Sequence, residues 1–68
     1  MFEVVEIKNY DTHHTYGTDW HTDYIIKTDK KYTVSTIIEE LEKKDYSICG
    51  NILLEKTEGG YILKTILY

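Results

Sequence analysis

Residues 33–44, TVSTIIEELEKK, decide the fold. Val34, Ile37, Ile38 and Leu41 stand at i, i+3, i+4 and i+7, which is one face of an α-helix. Thr33 can cap the first turn through its hydroxyl. Tyr32 and Ile37 then occupy the two positions of a hydrophobic staple. Glu39–Lys43 and Glu40–Lys44 are i, i+4 pairs in the favourable order, each adding about 0.2–0.5 kcal/mol. Lys43 and Lys44 also sit at the negative end of the helix dipole. Glu39, Glu40 and Glu42 remain for the solvated side. A helix with one apolar stripe needs a layer to lie on, and the flanking sequence supplies strands.

Downstream, Tyr46, Ile48, Ile52 and Leu54 alternate, and Tyr61–Tyr68 returns after Glu58-Gly59-Gly60. The glycines offer positive-φ residues for a tight hairpin turn. A loop at Gly59-Gly60 sets Glu55 opposite Lys64, whereas a loop at Glu58-Gly59 pairs Leu54 with Leu63. Pattern alone leaves the register open.

Upstream, Phe2–Lys8 (FEVVEIK) suits a strand, with Val5, Ile7 and Glu3 on one face and Phe2 and Val4 on the other. From Tyr10 to Thr28 the even positions carry mostly Tyr, Thr, Trp and Ile. The odd ones carry mostly Asp, His and Lys. Alternation at period two is the strand signature. Nineteen residues of unbroken strand are long for a small domain. A loop or ragged hairpin at 10–18, bending near Gly17, is therefore expected before a strand at about 20–28.

The resulting order is β-β-α-β-β. The expected fold class is α+β, with one helix packed on a mostly antiparallel four-stranded sheet, in a single small domain spanning 1–68. The chain has 68 residues, a net charge of −4, 41% hydrophobic and 29% charged residues. Such a length buries only about 60% of the unfolded surface. One cysteine excludes an intrachain disulfide, so Cys49 reads as a small buried or half-buried thiol in a strand. No apolar run approaches the ~20 residues of a spanning helix. No leader-like segment stands at the start, and a cytoplasmic protein with no membrane partner is expected.

Arg, Ala, Pro and Gln are absent. Without Arg, and with scattered Lys, direct nucleic-acid binding is disfavoured. The shortage of residues with G/C-rich codons leans toward an AT-rich genome, such as that of a low-GC bacterium or its phage.

Four groups bear on chemistry. Asp11, His13, His14, Asp19, His21 and Asp23 are metal-ligand types. However, Asp19 to Asp23 spans about 13 Å along a strand, so three consecutive ligands need a bend. A polar solvent face is the plainer reading, and no metal or cofactor is expected. Neither Cys49 nor Ser35 nor Ser47 has a nucleophile signature, so no catalytic residue is assigned. In the aromatic stripe, Trp20, Tyr24 and Ile26 read as the core side of a strand, and Tyr10 and Tyr16 as exposed loop contacts. Finally, the carboxylates can face a basic partner.

These features point to a small acidic protein-binding module that is not an enzyme. Its contact residues are expected to be Tyr10, Tyr16, Asp19, Trp20, His21 and Asp23, and its partner another protein. A phage-borne inhibitor of a host protein is the sharper form. The rivals are a metal-binding protein using segment 11–23 and a self-assembling component. For the last, a homodimer would form through Ile62, Ile66 and Tyr68 at a C-terminal sheet edge.

Overall fold

The structure, a computed structural model, describes residues 1–68. The elements are β1 (Phe2–His14), β2 (Gly17–Thr28), α1 (Val34–Lys43), β3 (Asn51–Thr57) and β4 (Gly60–Leu67). All pairings are antiparallel and the sheet order is β1-β2-β4-β3. The α+β fold read from the pattern is the fold observed.

Helix α1 starts where the sequence places it. The Thr33 hydroxyl accepts from the Thr36 amide at 3.3 Å, and the Thr36 hydroxyl accepts from the Thr33 amide at 2.9 Å. This reciprocal box satisfies two otherwise orphaned donors. At the other end Asp45 takes φ 70°, the amide of Tyr46 bonds Leu41 O, and that of Asp45 bonds Glu42 O. These are the two bonds of a Schellman motif, with Asp45 where glycine is usual. Ile37 and Leu41 are fully buried and Ile38 is half-buried, but Val34 is 40% exposed. The stripe therefore narrows at its first turn. Neither helical Glu–Lys pair closes to ion-pair distance; the pairs that do are Met1–Asp29, Asp11–His13, His14–Asp19 and Glu55–Lys64.

Under the helix lie Tyr24 and Ile26 of β2 and Tyr61 and Leu63 of β4. Register places Tyr24 beside Leu63 and Ile26 beside Tyr61. Phe2, Val4, Tyr32, Tyr46, Ile48 and Leu54 close the rim. The Tyr61 hydroxyl accepts from the Tyr32 amide at 3.1 Å, tying the helix entry to the sheet. Gly60 admits no side chain, because a Cβ there would run into the Ile26 carbonyl.

Several local expectations are corrected. The 10–18 segment is the hairpin alternative rather than a loop, and its ladder is regular rather than ragged. It turns at Thr15-Tyr16, with His14 opposite Gly17. An irregularity at Val5, between Val4 and Glu6, shifts the alternation. Ile7 thereby comes opposite Tyr24 and leaves the face it would share with Glu3, as an extra residue demands. The second hairpin uses the Glu58-Gly59 turn, pairing Leu54 with Leu63. Its glycines are not the positive-φ ones; those are Gly17 and Gly50. Cys49 is exposed, just before β3 rather than within a strand. β4 is interior, so Ile62 and Ile66 do not line a sheet edge.

Length explains the largest departure. Ten helical residues rise about 15 Å, whereas the molecule is 41 Å long. Trp20 faces the helix side but lies beyond its reach. It is 56% exposed beside Leu67, its cross-strand neighbour.

Candidate functional site

The helix covers one face of the sheet, and the other face has no layer on it. Side-chain parity and register assemble that open face in rows across β1, β2, β4 and β3. One row runs Glu6, Ile25, Ile62, Glu55. The next runs Lys8, Asp23, Lys64, Leu53. The third runs Tyr10, His21, Ile66, Asn51. Thr12 and Asp19 follow toward the hairpin tip.

Tyr10 and His21 form the centre of the third row. Their rings stack 4.5 Å apart and within 4° of parallel. The Tyr10 hydroxyl donates to Asp23 at 3.2 Å. Partial desolvation, then the Asp23 charge and this hydrogen bond, raises the Tyr10 pKa above its ordinary value. The Lys64 ammonium meets Glu55 diagonally at 3.0 Å, and that contact raises its pKa. Between these groups lies a shallow depression of about 330 Å³ lined by Tyr10, His21, Asn51, Leu53, Lys64 and Ile66, with Ile52 at its rim. Leu53 is 58% exposed there. A stacked aromatic pair, the Leu53 and Ile66 side chains and a few fixed polar groups make a surface suited to a protein contact.

Of the residues singled out from sequence, Tyr10, Asp19, His21 and Asp23 share this face. Trp20 lies on the opposite one. Tyr16 stands alone at the hairpin tip, almost fully exposed. Leu53, Lys64 and Asn51 were missed, and Ile66 was named only for a homodimer edge. They come from strands distant in sequence, and only the β2–β4 and β4–β3 registers bring them beside Tyr10.

The metal-ligand types do not converge. Asp11 and His13 pair at 3.1 Å on the helix side, whereas His14 and Asp19 pair at 3.1 Å on the open face. The Tyr16 amide donates to His14 Nδ1, so Nε2 carries the proton given to Asp19. His21 Nε2 lies 3.1 Å from the Thr12 hydroxyl. No three His, Cys, Asp or Glu side chains gather closely enough to hold an ion. No helix is long and apolar enough to cross a membrane.

Comparison with family models, with curated proteins and with solved structures finds no match.

Proposed function

We propose that this chain is a protein-binding module that docks through the open face of its sheet. The observation that supports this reading is the uncovered row Tyr10, His21, Ile66 beside Leu53. A lone antiparallel sheet tolerates a solvated face, but such a face is ordinarily polar. Here Ile25, Ile62 and Ile66 are half-buried only by their neighbours, and Leu53 stands out from them. The reading needs no chemistry of the chain's own.

An inhibitor that offers carboxylates to a basic groove draws less support. Asp23 stands between Lys8 and Lys64 in register, so the face is charge-mixed rather than uniformly acidic. A metal-binding role draws none from the paired His and Asp side chains.

The test is a photo-crosslinking amino acid at position 53, compared with one at Glu42 on the outer side of the helix. Irradiation in the cell is expected to give one discrete heavier adduct from position 53 and none from position 42. The same adduct from both positions, or from 42 alone, refutes docking by the open face.

A further inference from the structure

β1 is hydrogen-bonded on one side only. Between Val5 and the turn, Glu6–His14 is nine residues of regular ladder with a free outer edge. Natural edges are commonly blunted by proline, by short length or by inward-pointing lysine. This chain has no proline, and the only lysine in the stretch is Lys8. The other edge, β3, is shorter, Asn51–Thr57. In addition, the Lys56 ammonium reaches across that end to the carbonyls of Thr57 and Gly60.

We propose that β1 pairs antiparallel with β1 of a second copy about a two-fold axis at Tyr10, joining two four-stranded sheets into one of eight. This inference does not rest on the partner-binding reading. Tyr10 is the midpoint of Glu6–His14, so this register alone overlaps the whole free stretch. It sets Glu6 opposite His14, Lys8 opposite Thr12, Ile7 opposite His13 and Asn9 opposite Asp11. No like charges meet. An axis at Lys8 sets lysine on lysine, and one at Asp11 sets aspartate on aspartate. An axis at Asn9 avoids both but pairs only Glu6–Thr12.

The backbone agrees. In a two-residue hairpin the residues flanking the turn, here His14 and Gly17, form a hydrogen-bonded pair. Residues 14, 12, 10, 8 and 6 therefore direct their amides and carbonyls to β2. Ile7, Asn9, Asp11 and His13 direct theirs outward. That outward set is symmetric about Tyr10 and supplies about eight intermolecular N–H···O bonds. Tyr10 meets its counterpart at the close, non-hydrogen-bonded site, extending each Tyr10–His21 stack into a row of four rings. With the axis normal to the sheet, both helices lie on one side and the two open faces become continuous on the other.

The test uses the full chain in analytical ultracentrifugation. The unaltered chain is expected to sediment at twice 8.1 kDa in the micromolar range. Tyr10→Lys and Tyr10→Glu are each expected to be monomeric, and their equimolar mixture dimeric. Circular dichroism confirms that each is folded. Should either variant unfold, Tyr10→Cys in a Cys49→Ser background decides. It is expected to oxidise to a disulfide-linked dimer, whereas Thr12→Cys in the same background stays reduced, because only position 10 faces itself. A monomer at all concentrations, a Tyr10→Lys dimer, or equal oxidation at positions 10 and 12 overturns the proposal.

Discussion

The Leu41 carbonyl accepts the amide of Tyr46 at 3.1 Å, closing helix α1 through a left-handed Asp45. An L-residue other than glycine pays a steric cost in that conformation, less for aspartate than for most. Asp45→Gly is therefore expected to stabilise the protein by about 0.5–1 kcal/mol. Urea denaturation checks it; a loss of stability shows that the Asp45 side chain matters more than its backbone.

The two glycines of the second hairpin are expected to answer oppositely to alanine. Gly59 has open space around it, and a Cβ there mainly restricts the unfolded chain, for a gain of about 0.4–1 kcal/mol. Gly60 lies against the Ile26 carbonyl and the Thr28 amide, so Gly60→Ala is expected to cost about 1–3 kcal/mol. Thermal melts of the two variants, run side by side, should bracket the parent.

Core truncation grades along the helix stripe. Leu41→Ala removes a fully buried side chain and is expected to cost about 2–5 kcal/mol, much of what a chain this size possesses. Val34→Ala, at the exposed first turn, is expected to stay within about 0.5 kcal/mol. Equal losses at the two positions contradict the packing described.

Alkaline titration tests the surroundings of Tyr24 and Tyr10. Burial, then the charges of Cys49 and Tyr46, raises Tyr24 above the ordinary value of 10.0, and partial desolvation with Asp23 raises Tyr10. A raised folded-state pKa contributes stability that is complete below pH 10 and lost as pH climbs through the folded value. The melting temperature is therefore expected to fall with rising pH above 10, and less steeply in Tyr24→Phe. Tyrosinate absorbance is expected to lose a component ionising above pH 10.0 in Tyr24→Phe and another in Tyr10→Phe.

The helix was legible because its signals agree. The stripe, the Thr33 cap and the terminal lysines all mark the same twelve residues. The strands' existence was legible from alternation, but the register of the second hairpin was not: two pairings fit the pattern, and the structure takes Leu54 with Leu63. What escaped was long-range or cumulative. The irregularity at Val5 leaves no mark in the pattern, yet it reverses the facing of Ile7. Trp20 carries every mark of a core residue. Its exposure follows from a helix too short to reach it, a comparison of lengths that no local window contains. Of the open face, Tyr10, His21 and Asp23 were named as contacts, but with Tyr10 in a loop; that they share one strand pair, and the aliphatic half beside them, waited on register.

The face bearing Tyr10, His21, Ile66 and Leu53 is uncovered in the isolated chain, and the proposed docking covers it when the protein works. Hydroxyl-radical footprinting of the purified chain and of the same chain inside its cell compares the two directly. Leu53 and Ile66 are expected to be modified in the purified protein and protected in the cell, with Ile37 and Leu41 unmodified in both. Undiminished labelling of Leu53 and Ile66 in the cell, with protection falling instead on the outer side of the helix, would contradict it.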